Sequence, residues 1–147
     1  MSAPSANIIA ANVPSEPLIL TKVSATQTSI TIGWNPPLEP NGSPVTSYNI
    51  YMDNKLAKSN VVGILWTQTE SIVTGFLHKF TVTAINGRGE SEQSQPISIY
   101  AATISTPPVN PRRKSATSSS VTLQWEAPAS DGGTPILDYE LWWDLGA

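Results

Sequence analysis

The chain has 147 residues, enough for one ordinary domain or for a smaller domain with part of another. Only 13% of the residues are charged and the net charge is −3, with no basic run longer than Arg112, Arg113 and Lys114, so there is no electrostatic footprint for nucleic acid or an anionic membrane. Cysteine is absent, which excludes disulfides, thiolate metal sites and cysteine nucleophiles, and the densest apolar stretch, Val61 to Trp66, is too short to cross a bilayer as a helix.

The first residues, MSAPSANIIAANVP, carry neither the basic start nor the long apolar segment of an export signal. Further on, Ile30, Ile32 and Trp34 alternate with Thr31 and Gly33, which predicts a strand with one buried face. The Pro-rich NPPLEPNGSP that follows is a turn region. SYNIYMD, residues 47–53, alternates again, with Tyr48 and Ile50 predicted inward and Tyr51 outward, and DNK closes it with turn residues. A third alternating run, HKFTVTAI at 78–85, puts His78, Phe80, Val82 and Ala84 on one side. The turn NGRGES separates it from a last strand in ISIYA at 97–101, and STPP breaks the pattern. No window carries a sustained helical period, so the expected class is all-β, a two-sheet sandwich with those inward residues at its centre.

Sliding the sequence along itself exposes a repeat. Every residue from Ile8 to Asp53 faces the residue 91 positions later without a gap. Trp34 falls on Trp125, Pro37 on Pro128, Gly42 on Gly133, Pro44 on Pro135 and Tyr48 on Tyr139, while Ser24, Ala25 and Thr26 recur as Ser115, Ala116 and Thr117. One fold unit therefore occurs twice, the second time in its front part only. The register makes DYELWWD, residues 138–144, the counterpart of the strand SYNIYMD. It likewise makes residues 8–11 the counterpart of 99–102, the end of the complete repeat.

These residues resemble the fibronectin type III family. Its pattern is an opening Pro, a Trp on the second strand before a Pro-rich loop, a Tyr on the third strand, and a late strand running Tyr-x-Phe-x-Val-x-Ala-x-Asn-x-x-Gly. Pro17, Trp34, Pro37, Gly42, Tyr48, Phe80, Val82, Ala84, Asn86 and Gly89 fill those places, and Pro108, Trp125, Pro128, Gly132, Gly133 and Tyr139 repeat the first part. The resemblance implies an immunoglobulin-like two-sheet sandwich in tandem repeats. The expected division is the end of a preceding repeat or a linker at 1–13, a complete domain at 14–104, and the front half of a second domain at 105–147. The implied function is non-enzymatic: a segment of an array acting as spacer or as adhesion or assembly scaffold, of the kind found in a filament. Expected partners are other proteins, met through loops and exposed sheet faces, and further copies of the repeat, with no nucleic acid and no membrane insertion in this segment. A ligand- or glycan-binding receptor module and an accessory module of a larger enzyme are the alternatives. An extracellular or cell-surface setting is favoured over a cytoskeletal or ciliary one. The Pro-containing, Gly-free linker ATISTPP favours a semi-rigid rod.

No catalytic, cofactor-binding or metal-ligating residue is assigned, and no cofactor is expected. His78 replaces the Tyr that opens the late-strand pattern. With no second His or Cys at ligand spacing, it reads as a buried neutral imidazole bonded to an upstream backbone carbonyl. Arg88-Gly89-Glu90 sits where some family members carry an Arg-Gly-Asp adhesion triplet, but Glu lengthens the acidic arm, and a plain turn is expected. Asn41-Gly42-Ser43 is a glycosylation sequon disfavoured by Pro44, again expected as a turn. Glu90 and Glu92 read as a solvated turn rather than an acid-base pair. Tyr51 and Trp142 share one repeat position and are expected to point outward, either as an interaction surface or as ordinary strand aromatics.

Overall fold

A computed structural model describes residues 10–144. Its elements in order are β1 (Leu18–Ala25), β2 (Ile30–Asn35), β3 (Val45–Met52), β4 (Lys55–Val61), β5 (Leu65–Gln68), β6 (Leu77–Asn86), β7 (Gly89–Glu90), β8 (Ile97–Tyr100), β9 (Val109–Ala116) and β10 (Val121–Glu126). Every pairing is antiparallel. One sheet has the order β1-β2-β5, the other β4-β3-β6-β7 with β8 also on β6, and β9 and β10 form a separate hairpin.

The alternating runs behave as their periodicity requires. Ile30, Ile32 and Trp34 of β2 face Tyr48 and Ile50 of β3 and Phe80, Val82 and Ala84 of β6, and all are buried. Register fixes this face: Tyr48 lies opposite Ala84, Ile50 opposite Val82 and Met52 opposite Phe80. Trp34 and Tyr48 meet edge to face with ring centroids 5.4 Å apart at 66°. Each fully buried large side chain in this set contributes on the order of 1.5–3 kcal/mol. The core is closed on the β8 side by Ile99 and Ala101.

Along β6 the neighbouring chain drops out of regular pairing between β7 and β8, where the sequence is SEQSQP. Ser91 and Ser94 turn inward there. Their amides donate to Ala84 O and Val82 O at 2.9 Å each. Their hydroxyls accept from Ala84 N at 2.9 Å and Val82 N at 3.1 Å. Two serine side chains thereby stand in for the missing ladder carbonyls, as buried backbone donors require.

The second hairpin copies the first, register for register. Leu18 opposite Asn35 recurs as Val109 opposite Glu126, and Thr21 opposite Gly33 as Arg112 opposite Gln124, with the same two bulges between pairs. The left-handed Ile19 (φ 46°) has its counterpart in Asn110 (φ 53°), so the bulge backbone is repeated too. Trp125 and Tyr139 hold the edge-to-face contact at 5.6 Å and 62°.

One sequence expectation is overturned. Residues 138–144 form no strand. Their counterpart β3 is held by β4 on one side and β6 on the other; among the described residues no strand pairs with 138–144, and a strand without partners leaves its ladder groups unsatisfied. At the other end, Ile8 and Ile9 of the expected terminal strand lie outside the described residues, and Ala10 and Ala11 are in no strand.

Candidate functional site

His78 is 2% exposed at the start of β6. Its partners differ from the expected backbone carbonyl: Nδ1 lies 2.7 Å from Asp53 Oδ2, and the Val73 amide donates to Nε2 at 3.1 Å. Nε2 therefore carries no proton, and Nδ1–H donates to the carboxylate. Asp53 reaches this position because β3 turns into β4 through Asp53 and Asn54, both left-handed (φ 52° and 63°), the geometry of a tight hairpin. Its other oxygen accepts from Lys79 N at 2.9 Å. Burial works to raise the Asp53 carboxyl, but the Lys79 amide, the hydrogen bond from His78 and the Lys55 charge outweigh it, and the net effect is a lowered value. A groove of about 480 Å³ opens beside His78, lined in part by Leu56, Gln68, Glu70 and Phe76. With both ring nitrogens engaged, His78 offers it no free base. Among the described residues no three His, Cys, Asp or Glu side chains converge as a metal site would require.

Residues treated separately in the sequence meet on the outer face of the second sheet. Tyr51 OH donates to Glu90 Oε1 at 2.8 Å, and Thr83 Oγ1 donates to the same oxygen. Burial tends to raise Glu90, but the Thr83 and Tyr51 hydroxyls, with Asn49, lower it on balance. Glu90 is thus held down on the sheet and does not form an acid-base pair with the exposed Glu92. Arg88 is exposed, its amide donating to Asn86 Oδ1 at 2.8 Å within the turn. Trp142 stands exposed, while Tyr51 is half-buried beside Glu90.

Asn41 is engaged in the backbone rather than presented. At φ 55°, its Nδ2 donates to Val13 O at 2.7 Å. Asn86, the family residue of the late strand, donates from Nδ2 to Asn12 O, Pro40 O and Ser43 O at 2.8, 3.0 and 3.3 Å. One buried amide thereby ties the incoming segment to the loop between β2 and β3.

That pole recurs at the junction ahead of β9, which the sequence marked only as a linker. Asn12 N to Asn41 O and Ser15 N to Glu39 O, both 2.9 Å, return as Thr103 N to Gly132 O at 2.8 Å and Thr106 N to Ser130 O at 3.0 Å. Here the loop meets the opposite pole of the complete repeat. Thr74 Oγ1 donates to Gln27 O at 2.8 Å, binding two turns into one platform. Gly75 N donates to Ala101 O and Ala101 N to Phe76 O. Gly133 lies on this platform so closely that an added Cβ would come within 2.9 Å of Thr74 Cγ2 and 3.4 Å of Gln27 Cγ.

The family model for the fibronectin type III domain matches residues 14–100. A Kelch domain-containing protein of Saccharolobus solfataricus is 32% identical over 134 residues, covering 90% of this chain and 18% of that protein. The titin homolog of Caenorhabditis elegans is 30% identical over 150 residues, covering 89% of this chain and 1% of that protein. Domains A168-A170 from titin superpose with a TM-score of 0.57 at 21% identity, over 62% of this chain and 33% of that one. The chain thus spans less than a fifth of either relative's length.

Proposed function

The chain belongs to the fibronectin type III domain family, and on that footing we propose that it is a non-enzymatic segment of a tandem array, working as a spacer and assembly scaffold. In this reading residues 14–104 are one complete module, 105–147 the front of the next, and 1–13 the lead-in from a preceding unit or linker. Partners are other proteins, met through loops and exposed sheet faces.

The observation that carries the reading is the recurrence of the pole: the same two backbone bonds tie the incoming segment to the β2–β3 loop at residues 12–41 and again at 103–132. A pole that repeats at the residue spacing of the fold is what a periodic rod needs, because each unit then presents the same face to the one before it. The relatives include a titin homolog of Caenorhabditis elegans, which agrees with a mechanical or architectural role. In the groove beside His78 both ring nitrogens of that residue are already engaged, which supports a non-enzymatic reading.

Single-molecule stretching tests the reading. A spacer should unfold the complete module in one all-or-none step, releasing on the order of 300 Å of chain at about 3.5 Å per residue. Extension without a discrete step would refute a mechanical role.

A further inference from the structure

The 91-residue register lets the structure be compared with itself, and equivalent residues differ in how far they are covered. Ala101 is fully buried, whereas its counterpart Ala10 is exposed. Gly132 is buried, whereas Asn41 is exposed, and Gly133 is half-buried, whereas Gly42 is exposed. Backbone conformation does not account for this. Asn41 and Gly42 have φ 55° and 77°, Gly132 and Gly133 have φ 76° and 99°, and the hydrogen bonds from the incoming segment are the same. What differs is the neighbour: both glycines face the carbonyl of the equivalent lead-in alanine, Ala101 or Ala10, but Gly133 also has Thr74 and Gln27 against it, whereas the other nearest atoms to Gly42 belong to Ala11 of its own lead-in.

We propose that the pole formed by Ala10, Asn41 and Gly42 is a docking face for the opposite pole of a second copy of this repeat, which would seat its Thr74–Gly75 turn and its Gln27 on Gly42. The occupant follows from the molecule itself, because the one place where an equivalent face is covered is covered by those residues. Gly42 is left-handed as Gly133 is and carries no side chain, so the incoming turn would meet a face built from its backbone and the Ala10 carbonyl packed beside it. The lead-in is also suited to it. Ala10 is the counterpart of Ala101, whose carbonyl accepts from Gly75 and whose amide donates to Phe76 at the covered joint. A preceding copy would bring an equivalent turn to Ala10. The proposal rests on the rod reading and adds to it that the joint is fixed and propagates from unit to unit.

The test builds the second joint. A chain is made in which residues 14–98 run directly into residues 8–147, so that Ile8 takes the place of Ile99. The natural chain contains no cysteine, so two introduced cysteines are the sole attachment points for spin labels. Pulsed electron resonance is measured for T69C with A129C in the 147-residue chain, which spans the covered joint. It is measured again for T69C in the leading copy with L38C in the trailing copy, the equivalent pair across the new joint. The proposal expects the two distance distributions to share one centre and width, and expects Gly75→Val in the leading copy to broaden only the new one. Circular dichroism of that variant establishes that the leading module is still folded; Thr74→Ala with Gln27→Ala serves if it is not. A narrow reference with a broad or displaced distribution at the new joint overturns the docking proposal and leaves the rod reading standing. Broad distributions in both chains overturn both.

Discussion

Alanine at Ser94 removes one oxygen from the core edge of β6. The Ser94 hydroxyl accepts from the buried Val82 amide at 3.1 Å and donates to Gln95 O at 3.2 Å. Ser94→Ala keeps the reciprocal Ser94 N to Val82 O bond at 2.9 Å, so the backbone has no reason to move and the Val82 N–H is left without an acceptor. An unsatisfied buried donor costs about 1–3 kcal/mol. Taking about 2 kcal/mol, and a Tm shift of roughly 4–8 °C per kcal/mol for a domain of this size, the melting temperature should fall by about 10 °C. Ser91→Ala should act in the same way through Ala84 N. Ser98→Ala is the control, being exposed on β8 with no such role, and should stay within about 0.5 kcal/mol. Urea and thermal melts give the stability, and amide hydrogen exchange locates the loss, with protection expected to drop first at Val82. If Ser94→Ala melts with the natural chain and Val82 exchange is unchanged, the serine hydroxyls are not substituting for ladder carbonyls and the reasoning fails.

Other consequences are equally open to measurement. His78→Ala should destabilise the complete module by about 1–3 kcal/mol, since Val73 N–H loses its acceptor and Asp53 a donor. The Asp53 carboxyl is lowered in the fold, so its contribution is present above the ordinary carboxylate value near 3.8 and is lost as pH falls through the lower folded value; Asp53→Asn should flatten stability across that acidic range in pH-dependent melts. Tyr51→Phe removes one donor to the Glu90 carboxylate, so an NMR titration should show Glu90 moving up toward its ordinary value, with a stability change of at most about 1 kcal/mol. Gly133→Ala adds a methyl at φ 99° within 2.9 Å of Thr74 Cγ2. It should therefore increase amide exchange at Thr103 and Gly132 while leaving the β6 amides protected.

The strands that carried the sequence argument, β2, β3 and β6, were legible because each has a neighbour on both sides and one face in the core, which imposes strict alternation. β1 and β4 were not picked out. Their side chains are mostly exposed at sheet edges, so burial selects little in them. The Val61 to Trp66 run read as merely apolar, yet Val62, Ile64 and Leu65 are exposed and only its last residues enter β5. The burial of His78 followed from its place among Phe80, Val82 and Ala84, but its partner did not. Asp53 lies 25 residues away in sequence and becomes adjacent only through the register that sets Met52 opposite Phe80. Asp53-Asn54 could have been read as a tight hairpin, which would have placed a carboxylate at the start of β6. The Tyr51–Glu90 contact had no sequence signal at all, being set by the pairing of β3 and β7 with opposite sides of β6. The strand expected at 138–144 shows the converse limit: alternation gives a chain the capacity for a strand, and partners decide whether one forms.

A rod requires the joint at Gly75, Ala101 and Gly133 to be fixed, and residual dipolar couplings of backbone amides in the weakly aligned 147-residue chain test this most directly. A fixed joint predicts that couplings from β2, β3 and β6 and those from β9 and β10 fit one alignment tensor with the orientations of the structure. Separate tensors for the two sets, or β9–β10 couplings averaged toward zero, would contradict it.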